Sequence, residues 1–295
     1  MNRSQRARSR GTDITSPLRN NYFHGKMMDA YHFQLETHYH NHLRSMLNRL
    51  VIGRGVVCGL NVTHRQDCDG CEEPETPVID IAHGVAIDAW GRPIVVPSDV
   101  KCLPIPKDRI IEALELTEEY GGAGTASRHV GHGPPGKDDD DDEKGPNGWV
   151  QVLIGYHECQ VDPVPVLAGD CHGGQSCNAG TIREWYKFDF RAGRSQRIDL
   201  HCNIPDVVTR GRVNYDKIVD WVTIPDENEL TGCRERPEAS WLPLADVHFD
   251  LDESGDAPRF VIDRVDIYRR RVAYSNRLLF EMLLDLIQAR RGPNR

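Results

Sequence analysis

Between Asp29 and Leu50 the residues Leu35, Tyr39, Leu43, Met46, Leu47 and Leu50 recur at three- and four-residue spacing among polar neighbours. That period predicts a helix with one apolar side. Asp29 offers an N-cap carboxylate. Gly53 and Gly55 offer a stop before the apolar run Val56-Val57-Cys58-Gly59-Leu60-Asn61-Val62 opens a strand. A helix feeding directly into a sheet, with its apolar side turned the same way, is expected to be the element against which the β part is built.

Beyond Leu60 the period shortens to two. Ile79, Ile81, Val85 and Ile87 alternate with polar or small residues, and His83-Gly84 and Trp90-Gly91 fall where turns are needed, which predicts a β-meander. Helical spacing returns from Lys107 to Tyr120 through Ile110, Ile111, Leu114 and Leu116. Strands are predicted over Trp149–Cys159 and Ile182–Gly193; between them Pro163 and Pro165 argue against a regular central strand. Tyr215 to Val222 reads as a short helix, and Ser240 to Asp263 as a hairpin closed around Glu253–Asp256.

The last helix is expected over about Arg264 to Arg291. There Leu278, Leu279, Phe280, Met282, Leu283, Leu284, Leu286 and Ile287 cover far more than the usual stripe of about 100°, and only Glu281, Asp285 and Gln288 keep a polar side. Such a helix must be covered on two sides, by its own core or by another chain. No internal repeat of solenoid or propeller period is visible.

The fold class that follows is α+β: β-rich, with a long N-terminal helix, a C-terminal apolar helix, and two β halves joined by an acidic flexible loop. The segments are a basic arm (1–19), a helix plus β-meander (20–117), a Gly/Pro/Asp-rich linker (118–148), a second β-rich part (149–263) and the terminal helix (264–295).

Composition refines this picture in a few places. A chain of 295 residues holds one large domain or two modest ones. Its net charge of −9 argues against general nucleic-acid binding, although the first 19 residues carry Arg3, Arg6, Arg8, Arg10 and Arg19. That arm is expected to be disordered, or to order on an acidic partner. No apolar run approaches the roughly 20 residues that span a bilayer, and the N-terminus lacks the apolar core of a secretion signal. A cytoplasmic location without membrane insertion is expected. The aspartates Asp138 to Asp142 neither space their oxygens nor supply the glycine of a calcium loop, so they read as a solvated spacer.

Two groups of residues have metal-ligand chemistry. His38, His40 and His42, with His24 and His32 nearby, would share a face on a strand. On the predicted helix only the pair His38 and His42 does, and the glutamate base of an HExxH site is missing. Partly buried, hydrogen-bonded histidines are the expectation. Of nine cysteines, Cys68 and Cys71 form a CxxC. Cys171 and Cys177 bracket a knuckle-like loop, while Cys159 and Cys202 end nearby strand segments. Cys159, Cys171, Cys177 and Cys202 are the candidate ligands of a structural zinc; separate reduced thiols are the alternative. Cys58, in an apolar run, reads as core. No GxSxG, Walker loop or GxGxxG opening a helix is present, and no catalytic residue is assigned.

The stretch from Asn21 to Val62 resembles the N-terminal signature of a family of bacterial proteins associated with phage-tail-like contractile injection systems. The matching residues are Asn21, Tyr22, Phe23, Gly25, Lys26, Met28, Phe33, Asn48, Arg49, Gly53, Gly55, Val56, Val57, Cys58, Gly59 and Leu60. Gly84 to Pro97, Tyr156 to Phe188 and Leu244 to Val272 are similar to later blocks. The family's second block carries a paired cysteine where this chain has Ala89 and Trp90. The resemblance implies a non-enzymatic structural subunit, at a baseplate or terminal collar, that works as a homo- or hetero-oligomer with other particle subunits. Tyr22, Phe23, Leu279, Phe280, Leu283 and Ile287 are the expected contact residues. Rival expectations are a zinc-dependent enzyme using the histidine-rich helix, and a carbohydrate- or surface-binding module using Trp149, Trp185 and Trp241.

Overall fold

A computed structural model describes residues 16–65, 76–120, 148–165, 177–198, 207–209, 212–223, 237–252 and 259–291. Helix and strand are mixed, with more strand than helix. The basic arm before residue 16, Cys68 and Cys71, the aspartate run, Cys171, Cys202 and the Glu253–Asp256 turn lie outside the described residues.

The first helix, α1 (Ala30–Leu47), starts where its sequence puts a cap. The Asp29 carboxylate accepts from the His32 backbone N–H and the His32 ring reaches back to the Asp29 backbone, which closes a reciprocal box. The helix widens into a π-turn over Asn48–Ile52 and stops at Gly53, whose φ of 84° is open to glycine at no steric cost.

Two small antiparallel sheets follow. One contains β1 (Gly55–Gly59), β4 (Gly84–Ile87) and β5 (Pro93–Val96), in the order β1-β4-β5. The other contains β2 (Val62–Arg65), β3 (Val78–Ile81) and β6 (Val100–Pro104), in the order β2-β3-β6. The expected meander is therefore divided between two sheets. The cause is local: Gly59 and Leu60 both take positive φ (65° and 54°), and this bend sends β1 and β2 to different partners. Helix α2 (Lys107–Tyr120) closes the first half.

The second half is a four-stranded antiparallel sheet, ordered β12-β11-β7-β8, built from β7 (Trp149–Pro165), β8 (Cys177–Ala192), β11 (Leu242–Asp252) and β12 (Arg259–Asp266). A two-stranded ribbon, β9 (Val208–Thr209) with β10 (Arg212–Val213), and helix α3 (Tyr215–Thr223) lie between β8 and β11 in the chain. Strand β7 runs past the expected end at Cys159 through Pro163 and Pro165, but not as a central strand there. Only Val150–Ile154 is flanked on both sides, by β8 and β11. Past Ile154 β7 pairs with β8 alone, and an outer strand has a free side where a missing N–H costs nothing.

One core serves both halves. Val56, Leu60, Ile79, Ile81, Ile94 and Ile110 meet Val150, Val152, Ile154, Leu244, Val247 and Phe249 in a single buried cluster. The large sheet presents its even-numbered β7 positions to that core, and α2 lies against β7 and β8. Its other face carries Trp149, Asp246 and His248. The last helix, α4 (Asn276–Arg291), begins later than expected because Arg264 to Asp266 pair with β11; the Ser275 hydroxyl then accepts from the Leu278 N–H at 3.2 Å.

Candidate interaction surface

Both peripheral helices are rooted at β1. Helix α1 hands over to it at Gly55. The segment leading to α4 is hydrogen-bonded to it: Val56 N–H donates to the Arg271 carbonyl at 2.8 Å, and Ala273 N–H donates to the Val56 carbonyl at 2.9 Å. Arg270 adds a bond from its guanidinium to the Leu60 carbonyl at 2.8 Å. Gly55 is required for this approach. A Cβ there would lie 2.6 Å from the backbone nitrogen of Ala273, and its φ is 147°.

A second fixed point holds the C-terminal end of α1. The turn from Asp88 to Arg92 wraps the buried Asp88 carboxylate, which accepts from Trp90 N–H (2.9 Å), Arg92 N–H (2.8 Å) and Arg92 Nε (2.7 Å). The Arg92 guanidinium lies between the rings of Trp90 and Tyr156, 4.4 and 4.5 Å from their centres. Gly91, at the tip, brings its backbone against the Ser45 carbonyl, and its own carbonyl accepts from the Asn48 amide at 2.9 Å. Sequence reasoning placed a turn here but assigned no role to Asp88 or Arg92.

Outside these anchors neither helix has a fully buried side chain among the described residues. Helix α1 has no buried residue, and beyond the π-turn that continues it its contacts are slight, among them an ion pair from Arg44 to Glu184 on β8 at 3.4 Å. Its expected apolar side, Leu35, Tyr39, Leu43 and Met46, is half-buried rather than buried. Helix α4 packs along no other described element. Leu279, Phe280 and Leu283 are 43%, 58% and 57% exposed, and ahead of α1 Tyr22 and Phe23 are 59% and 63% exposed. Ile287 lies on α4, but its side chain is outside the described residues.

The metal candidates fare differently. Cys159 stands opposite Arg183 and Cys177 opposite Pro165, six rungs apart along the β7–β8 ladder. At about 3.3 Å per residue that is roughly 20 Å, so one tetrahedral ion cannot take both. Cys58 is exposed rather than core, because the register shift between Val56 and Cys58 turns it outward. Cys102 is disulfide-bonded and so is not a reduced thiol. On α1, His38 and His40 are exposed, and the Nε2 of the half-buried His42 makes no hydrogen bond, so the expected satisfaction fails there. None of these histidines joins a cluster of three ligands among the described residues. One such cluster does form, from His248, Asp250 and Asp263. Trp149 is buried beneath the Arg194 guanidinium at 4.1 Å, so Trp149, Trp185 and Trp241 do not make an open aromatic face.

No helix among the described residues is long and apolar enough to cross a membrane. A comparison with protein-family models gives no match, and a comparison with curated proteins gives none either.

Proposed function

We propose that this chain is a structural subunit of a contractile, phage-tail-like particle, seated at its baseplate or a terminal collar, and that α4 is its principal contact with neighbouring subunits. The observation that supports this reading is the apolar, unpartnered surface of α4. Leu279, Phe280, Leu283 and Leu286 are exposed on a helix along which no described element packs, and exposed apolar area of this kind marks an interaction surface. The resemblance of residues 21–62 to the injection-system family supplies the kind of assembly. Tyr22 and Phe23 add aromatic anchors of the sort that dominate interface cores. Because α4 and α1 share a root at β1, a neighbour bound on one helix is mechanically continuous with the other.

Native mass measurement of the purified full chain, alone and with its co-expressed partners, tests this. Wild-type protein is expected in oligomers or heteromeric complexes. The pair Leu279→Gln and Leu283→Gln, which keeps helix propensity while removing apolar area, is expected to release monomers with an unchanged melting temperature. A wild-type chain that stays monodisperse and monomeric, alone and with partners, overturns the reading.

A further inference from the structure

We propose that His248, Asp250 and Asp263 form a three-ligand site for a divalent first-row transition ion such as Zn2+, on the sheet face turned away from the core. His248 and Asp250 are two residues apart on β11, so their side chains leave the same face. Asp263 would not join them in a regular ladder. The register changes here: His248 pairs with Arg264 while Phe249 pairs with Ile262, so Asp263 is the extra residue of a β-bulge on β12. A bulge re-aims a side chain without ending the pairing, and this one turns Asp263 towards His248 and Asp250.

The three ligand atoms lie within 4.8 Å of one another. Donors bound at about 2.0–2.2 Å from one tetrahedral ion stand about 3.3–3.6 Å apart, so the two exposed carboxylates must rotate inward by about 1 Å to close the site. His248 Nδ1 is the second observation. It is shut off from solvent, makes no hydrogen bond, and points to within 3.3 Å of Asp263 Oδ2. The nitrogen faces the Asp263 carboxylate without a well-formed hydrogen bond, and an ion shared between them would give both a ligand bond. The ring is held in place by Trp149, 4.9 Å away between centres.

The donor set selects the ion. Two carboxylates and one neutral imidazole present two negative charges to a dication. An imidazole nitrogen favours zinc, nickel or copper over magnesium and calcium. Three protein ligands leave at least one position open, for water or for a donor from another molecule. This site shares no residue with the cysteine set or the histidine-rich helix.

The test is a Zn2+ titration of the chelator-treated full chain by calorimetry, with Co2+ absorption as a spectroscopic check. Wild-type protein is expected to bind one equivalent that Asp263→Asn and His248→Gln each weaken by at least about tenfold. Asp250→Asn, at an exposed position, is the further variant that separates ligand loss from misfolding. Mg2+ and Ca2+ are expected not to compete, and His38→Ala with His42→Ala is expected to leave the equivalent in place. An equivalent that survives Asp263→Asn, Asp250→Asn and His248→Gln, or no binding at millimolar Zn2+, overturns the proposal.

Discussion

The body of this molecule and its two peripheral helices use apolar residues for opposite ends. In the body, Ile79, Ile81, Ile94, Ile110 and Val247 are wholly withdrawn from water, and both halves of the chain contribute to one cluster. On α4 a comparable density of leucine is left in contact with solvent, and α1 buries nothing completely. Apolar patterning says that a surface wants to be covered but not by whom. The distinction lies in what the topology brings to each element. The sheets and α2 fold onto one another, whereas α4 is led past β1 and released.

The largest effect that would sharpen this contrast is expected in the core. Phe249 sits at 1% exposure on the central strand β11. Phe249→Ala is expected to remove about 3–5 kcal/mol of stability through lost burial and a cavity, read as a drop in the denaturation midpoint. Equivalent truncation on α4, Phe280→Ala, is expected to leave the midpoint of the isolated chain nearly unchanged. Equal losses at the two positions would erase the distinction between body and arm.

Much of the chain was legible wherever local pattern decides the element. The capped start of α1 at Asp29, the helix from Lys107 to Tyr120, the short helix at Tyr215 and the start of β7 at Trp149 all follow from local period and local chemistry. What failed depended on backbone bends or partners distant in sequence. The bend at Gly59-Leu60 separates β1 from β2; the pairing of Arg264 to Asp266 with β11 delays α4; the bulge beside His248 gathers three ligands from two strands. The last left only a faint mark in the sequence, a histidine and an aspartate two apart on a predicted strand. The cysteines misled because spacing along the chain says nothing about the rung each occupies, and six rungs separate Cys159 from Cys177.

A middle-sized effect is expected where body and arm join. Gly55 leaves no room for a side chain, since the backbone from Arg271 to Ala273 lies 2.6–2.8 Å from where its Cβ would be. Gly55→Ala is expected to cost about 1–3 kcal/mol, from strain at a positive φ and from overpacking. The damage should be local. Hydrogen exchange is expected to speed up at Val56 and Ala273, whose bonds hold the root of α4, while Val150 and Val247 in the core stay protected. Uniform loss of protection across the core would mean that α4 is rooted in the body's own cooperative unit rather than released from it.

The smallest effect separates two aspartates by environment. Asp29 is exposed, and its hydrogen bonds from His32 hold its carboxyl below the ordinary range. Asp246 is 1% exposed; burial pushes its carboxyl up, with nearby Asp266 adding to this while Ser195 and Arg194 pull the other way. Its Oδ1 accepts from the Ser195 hydroxyl at 2.7 Å and the Ser195 N–H at 3.1 Å, but Oδ2 has no partner. A folded-state pKa above the unfolded one means that the stabilising protonation is fully present below the unfolded value and lost as pH rises through the folded one. Asp246→Asn is therefore expected to melt like wild type in acid and to gain on it as pH rises, by on the order of 1 kcal/mol. Asp29→Asn should behave in the opposite sense, since the contribution of a depressed carboxylate is present above its unfolded value and disappears as pH falls. Melting curves from acid to neutral pH check both. Identical slopes for the two variants would show that the buried face under Ser195 is as open to water as the start of α1, and the contrast between body and arm would not extend to charge.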